Sequence, residues 1–139
     1  MSEINVSDYV IKTDRNYMET HEWIMDNGDG TYSMGISDYA QKMLKEISYV
    51  QFEDEGASFE QKEVIVVVES LKAIGEVYAP FDCEIVENNT DLDDNPDLIT
   101  SSPYDKGFLV RIKAMSDDRS SLITAEAYAE IVRKELEEL

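Results

Sequence analysis

Val64-Ile65-Val66-Val67-Val68-Glu69-Ser70-Leu71-Lys72-Ala73-Ile74-Gly75-Glu76-Val77-Tyr78-Ala79-Pro80 opens with five consecutive β-branched residues. Such side chains are stiff at χ1 and favour a pleated strand buried on both faces. The run stops at Glu69, and a second β-prone segment resumes at Ile74 and is closed by Pro80. The connection between them is too short for a crossover, so the two strands are predicted to pair as an antiparallel hairpin. Lys72 stands at its apex, held out into water. Glu69 and Lys72, three residues apart, could instead pair on a helix surface, but the valine run disfavours that reading. A lysine on a tight hairpin is open to a modifying enzyme without unfolding of the domain, although most such lysines are only solvated charges.

Around this hairpin the chain has 139 residues, which suits one domain with a modest core. Its 12 Lys plus Arg stand against 31 Asp plus Glu, a formal charge of −19. A polyanion of that density repels phosphate backbones and anionic membranes, so neither nucleic acid nor membrane is expected as a partner. Solubility and partners with basic docking faces are favoured instead. No apolar run approaches a membrane span. The single Cys83 allows no internal disulfide and no CxxC pair, which fits a reducing compartment. The N-terminus resembles neither a secretory nor a transit signal. A cytoplasmic location is expected, with an organelle matrix as the alternative if a presequence has been removed.

Residues 1–15 read as a loosely held lead-in with one short edge strand around Tyr9-Ile11, ahead of a single domain over 16–139. Asp26-Asn27-Gly28-Asp29-Gly30 is turn chemistry between two strand-like runs; a calcium loop would want Glu where Ser37 stands. Ser37 or Asp38 caps a predicted helix to about Lys45, with Gln41 at the reciprocal position if Asp38 is the cap. Ile36, Ala40, Met43, Leu44 and Ile47 form its apolar stripe, with Met43 as core filling. Ile47 to Phe52 turns to strand. Asp91 to Asp97 is the densest acidic patch, a solvated loop before a short helical turn. Phe108 to Met115 is a further strand, and Thr124 caps a C-terminal helix whose apolar face carries Tyr128, Ile131, Val132, Leu136 and Leu139. The architecture predicted from the residues is one mainly β sandwich with peripheral helices.

Little in the chain suggests catalysis. His21 is the only histidine, too few for an ordinary zinc site or a triad; a structural role beside Trp23 is expected. Cys83 has no neighbouring cation to favour a thiolate. Carboxylates are too abundant for any pair to be informative, no Gly-rich phosphate loop occurs, and no metal site is expected. The residues alone support a non-enzymatic domain presenting one amine.

Glu69-Ser70-Leu71-Lys72-Ala73, followed by Ala79-Pro80 and Glu84-Ile85-Val86, resembles the lipoyl-attachment hairpin of the glycine cleavage system H-protein family. Biotin carriers set their lysine between two methionines; here the neighbours are Leu71 and Ala73. Thr20-His21-Glu22-Trp23 resembles the family's N-terminal strand, and Gly35 to Gln41 its GITDYAQ segment. Asn95-Pro96-Asp97-Leu98-Ile99, Ser102-Pro103-Tyr104, Gly107-Phe108-Leu109 and Ala125-Glu126-Ala127-Tyr128 are similar to its later signatures. The motifs occur in order from about Asn16 to Leu139.

The resemblance implies a lipoyl/biotinyl-type flattened β-barrel or sandwich, a barrel-sandwich hybrid, with short peripheral helices and a C-terminal helix. It also implies lipoate in amide linkage to Lys72, an arm of roughly 14 Å from summed bond lengths. Glu69, Ser70 and Ala73 are the implied recognition residues for a lipoate ligase or lipoyl transferase. The implied partners are a pyridoxal-phosphate glycine decarboxylase, which loads an aminomethyl group, and a tetrahydrofolate-dependent aminomethyltransferase, which removes it. Dihydrolipoamide dehydrogenase then reoxidises the dithiol, and the carrier, expected to be a monomer, catalyses nothing. Thr20, Glu22 and Glu76 map onto the family's cleft for the loaded arm, although the family more often has Ser and Asp at positions 20 and 76. On that mapping, Glu22→Gln speeds loss of the aminomethyl group. Cys83 stands where the family usually has Gly; if that site needs positive φ, the strain is on the order of 1 kcal/mol, unless Asp82 takes that conformation. A lipoate relay or a sulfur-metabolism carrier on the same hairpin is the alternative. A small hydrolase and a purely structural domain belong to other classes, and no nucleophile supports the former.

Overall fold

A computed structural model describes residues 2–139. Its elements are β1 (Glu3–Val6), β2 (Tyr9–Lys12), β3 (Asn16–Tyr17), β4 (Glu22–Asp26), β5 (Thr31–Ile36), α1 (Asp38–Leu44), β6 (Ile47–Phe52), β7 (Ser58–Phe59), β8 (Val64–Ser70), β9 (Ile74–Tyr78), β10 (Cys83–Asn88), α2 (Asp91–Asp94), α3 (Leu98–Ser101), β11 (Val110–Ala114) and α4 (Ala125–Glu137). The predicted mainly β architecture with a C-terminal helix is what forms. Every pairing is antiparallel: a six-stranded sheet in the order β3-β4-β5-β11-β10-β7, a three-stranded sheet β6-β8-β9, and a separate β1-β2 hairpin.

The two larger sheets share one apolar core. Ile24, Met34, Ile85, Val110 and Ile112 come from the six-stranded sheet, and Val50, Val66, Val68 and Val77 from the three-stranded one. β8 is central in its sheet, paired with β6 on one side and β9 on the other. Its β-branched run therefore has neighbours all round, and Ile65, Val66 and Val68 are buried. Local chemistry sets the joints. Gly28 and Gly30 take positive φ between β4 and β5, where Asp26 and Asp29 accept from the backbone N–H groups of Gly28 and Thr31 at 2.8 and 3.0 Å. Those carboxylates brace the turn itself. Ser37 caps α1 by accepting from the N–H of Ala40 at 3.1 Å, and Thr124 caps α4 by accepting from that of Ala127 at 3.1 Å. Gln41 meets Asp38 side chain to side chain at 2.8 Å, inside the helix.

Three local expectations change. Residues 3–12 are no loose lead-in with one edge strand: they form the whole β1-β2 hairpin, with Val6 and Ile11 buried in a second core beside Tyr17, Tyr128 and Val132. The N–H of Val10 donates to Asp38 Oδ2 at 2.9 Å and its carbonyl accepts from the Tyr104 hydroxyl at 2.6 Å, so the hairpin is tied to α1. Apolar residues spread thinly over a short segment show no period, which hid their burial. Met43 is 53 % exposed, not core filling, because α1 turns only part of its stripe inward. Cys83 begins β10, fully buried in register with Phe59 and Ala114, and neither it nor Asp82 has positive φ. The glycine-like strain therefore does not arise.

Candidate functional site

The β8-β9 hairpin ends in a tip that one side chain organises. Ser70 accepts from the N–H groups of Ala73 and Lys72 at 3.0 and 3.3 Å and donates to the Ala73 carbonyl at 3.1 Å; a backbone bond from Ser70 to Ala73 closes the turn at 2.9 Å. Lys72 and Ala73 are exposed, and Leu71 and Ile74 beside them are 73 and 66 % exposed. Both apolar side chains stand in water close to the lysine. Glu69 is half-buried, in register with Tyr49 and Ile74. The structure thus brings Glu69, Ser70, Lys72 and Ala73 together at one end of the molecule, and Ser70 fixes the shape in which the amine is shown.

β9 leads from that tip into a groove of about 250 Å³. Gly75, Glu76 and Val77 of β9 form one side and Tyr39, Ala40, Met43 and Leu44 of α1 another, with Thr20, His21 and Glu135 also in the lining. Gly75 matters for space: a Cβ there would lie 3.1 Å from Leu44 Cδ1. Of the three cleft residues anticipated from sequence, Thr20 and Glu76 line this groove and Glu22 does not. Glu22 is 1 % exposed; its Oε2 accepts from the N–H of Tyr78 at 2.8 Å and its Oε1 from the Thr20 hydroxyl. Burial pushes its carboxyl above the usual range, with those hydrogen bonds opposing. Glu22 therefore braces Thr20, which lines the groove, and the backbone of Tyr78 beyond Glu76 and Val77. The Tyr78 hydroxyl in turn donates to Glu76 Oε1 at 3.4 Å.

His21 is not organised around Trp23 as expected. Its Nδ1 lies 2.8 Å from the Tyr128 hydroxyl, its Nε2 3.1 Å from Glu135 Oε2, and its ring 5.2 Å from that of Tyr39. Trp23 instead donates from Nε1 to the Pro103 carbonyl at 2.9 Å beneath the Arg15 guanidinium. Glu135 and Tyr39 of the groove went unseen in the sequence, because Tyr39 meets Tyr9 of β2 and Glu135 of α4, and Glu135 meets His21 and Tyr39, all far apart along the chain. Among the described residues no group of three or more His, Cys, Asp or Glu is placed to hold a metal ion, and no helix is long and apolar enough to cross a membrane.

The chain as a whole is similar to one set of known proteins. Residues 15–135 match the family described as glycine cleavage H-protein. The chain belongs to the glycine cleavage H-protein family. It is 44 % identical over 126 residues to the glycine cleavage system H protein of Pseudoalteromonas atlantica, covering 90 % of this chain and 98 % of that one. It is 45 % identical over 122 residues to that of Ruthia magnifica, covering 88 and 97 %. The crystal structure of a glycine cleavage system H protein from Mycobacterium marinum superposes with a TM-score of 0.79 at 33 % identity, over 86 % of this chain and 97 % of that one. The family match begins just after β2, so the β1-β2 hairpin lies outside it in this family member.

Proposed function

We propose that this chain is the lipoyl-bearing shuttle of the glycine cleavage system, a non-catalytic carrier with lipoate on Lys72. Family membership supports the system, and the exposed Lys72 at the head of a strand that walls a groove supports the site. When bound, lipoate supplies a dithiolane that opens to a dithiol able to hold and release a one-carbon amine cargo. The residues present fit such an arm. Lys72 gives the amine, Ser70 holds the turn, and the groove offers apolar length beside Gly75 and Val77 with polar contacts at Thr20 and Glu76. Glu22 keeps Thr20 and the Tyr78 backbone in place beside it. Acylation removes the lysine charge, so the modified side chain can lie along apolar surface that an ammonium would avoid.

The partners in this reading are glycine decarboxylase, aminomethyltransferase, dihydrolipoamide dehydrogenase and a lipoate ligase or transferase. Tethering raises the local concentration of one group at successive active sites without any chemistry by the carrier. A reducing compartment, cytoplasm or organelle matrix, suits a dithiol cycle and a lone thiol. The test is intact mass and peptide mapping after incubation with a lipoate ligase: one lipoyl group appears, on residue 72, and Lys72→Arg takes up none. An acyl group on another residue, or unmodified protein where a known H protein is fully acylated in parallel, refutes the proposal.

A further inference from the structure

Across the three-stranded sheet Val50, Val68 and Gly75 stand in register, and Tyr49, Glu69 and Ile74 form the next row toward the hairpin tip. The first row faces inward: Val50 and Val68 are buried in the core, and a Cβ on Gly75 would meet Leu44 of α1. Successive residues of a strand point to opposite faces, so Tyr49, Glu69 and Ile74 point outward. A bulge in β6 makes this possible. The register shift between Ile47 and Tyr49 leaves Ser48 as an extra residue, which lets Ile47 and Val50 both be buried and turns Tyr49 out, 52 % exposed. Ser48 donates to the Glu69 carbonyl at 3.3 Å, holding the bulge against the base of the tip. With Leu71 in the turn, three exposed apolar side chains and one carboxylate flank Lys72.

Exposure alone assigns no partner; the distance at which a partner must work does. An enzyme that acylates Lys72 brings its activated acyl carbon within roughly 3.5 Å of Nζ, so it closes over the tip itself. An ordinary interface covers about 800 Å² on each side, a disc of roughly 16 Å radius. Tyr49 lies one strand spacing, about 5 Å, from Glu69, which is at most roughly 10 Å of chain from Lys72. Ile74 is nearer still, at most roughly 7 Å of chain away. The whole row therefore falls inside the footprint. Once the lysine is acylated, the reactive sulfurs stand roughly 14 Å out, and an enzyme that works on them need not touch the row.

We propose that Tyr49, Leu71 and Ile74, set around Glu69, are the platform on which the enzyme that attaches lipoate to Lys72 docks, through an apolar face carrying a basic group opposite Glu69. This rests on the carrier reading above and adds to it a residue, Tyr49, from outside the hairpin. The charge of the partner follows from the neighbourhood. The row and the one behind it, Gln51, Val67 and Glu76, hold two carboxylates and neither lysine nor arginine, on a chain of formal charge −19.

The test uses the full-length unmodified protein with a purified lipoate ligase and lipoyl adenylate. The neutral Lys72 amine attacks the acyl carbon, AMP leaves, and the new amide nitrogen sheds a proton. The double variant Tyr49→Thr with Ile74→Thr keeps strand-forming residues in both strands. It should raise KM for the carrier about tenfold, a factor of about three for each apolar contact, with kcat unchanged because the amine and its Ser70 brace are intact. Met115→Thr removes a similarly exposed apolar side chain just after β11 and should leave KM as it is. Wild-type KM should rise with ionic strength, as salt screens Glu69 from its basic counterpart. Once acylated at saturating concentration and reduced, the double variant should be reoxidised by dihydrolipoamide dehydrogenase at the wild-type rate. A KM that the double substitution leaves unchanged, a KM independent of salt, or reoxidation slowed as much as acylation overturns the assignment. With wild type acylated on residue 72, that result leaves the carrier function standing; with no lipoyl group there, both fall.

Discussion

Replacing Glu22 separates a structural hydrogen bond from a buried charge. In Glu22→Ala the N–H of Tyr78, now donating at 2.8 Å, loses its acceptor in a site 1 % exposed. An unmade buried bond costs about 1–3 kcal/mol, and the lost side-chain packing adds about 1 kcal/mol. In Glu22→Gln the amide oxygen still accepts from Tyr78, and the amide NH₂ can donate to the Thr20 hydroxyl oxygen. That variant should stay within about 1 kcal/mol of wild type at neutral pH. With a urea slope of about 2 kcal/mol per molar for a chain of this size, the alanine midpoint falls by roughly 1–2 M while that of glutamine barely moves. Trp23, the sole tryptophan and adjacent in β4, reports unfolding by fluorescence. The pH dependence has a definite sign. Burial raises the carboxyl's folded-state pKa above its unfolded value, so the folded protein binds the proton more tightly. Stability from that group is present at acid pH and lost as pH rises through the folded value. Wild type should therefore gain on Glu22→Gln as pH is lowered from neutral toward the usual carboxylate range. Equal midpoints for Ala and Gln, or parallel pH profiles for wild type and Gln, would refute this account.

Further outcomes follow from the packing. A Cβ on Gly35 would lie 2.8 to 2.9 Å from the indole of buried Trp23, so Gly35→Ala should cost about 1–3 kcal/mol by overpacking, visible as a lower thermal midpoint; no change would mean the two elements give way freely. Ile11→Ala should cost about 2–5 kcal/mol, because Ile11 is fully buried, whereas a loose N-terminal segment would show no effect in the same melt. Burial, with Asp82 and Glu63 nearby, pushes the Cys83 thiol up to about 12, so a maleimide should label the native protein at pH 8 hardly at all and the urea-unfolded protein at once. Ser70→Ala removes the acceptor for the N–H groups of Ala73 and Lys72; the tip should exchange its amide hydrogens faster and be lipoylated more slowly at limiting ligase, and equal rates would show that the ligase reshapes the tip itself.

The hairpin, its apical lysine, the cap at Thr124, the α1 cap to within Ser37 or Asp38 and the Asn-Gly turn were legible in the sequence because each depends on neighbours within a few positions. Stiff β-branched residues specify a buried strand wherever the chain runs, and a serine two residues before a lysine can brace a turn with no help from elsewhere. The second core, the exposure of Met43, the relaxed backbone at Cys83, the withdrawal of Glu22 from the groove and the seating of Glu135 beside His21 came only with the folded chain. Each joins residues far apart in sequence: Val10 with Asp38, Glu22 with Tyr78, His21 with Glu135. A carboxylate reads the same in a sequence whether it faces solvent, a buried amide or a groove. Which of these it meets is decided by what α4, α1 and β9 bring against it, and that depends on how whole elements pack rather than on any local pattern.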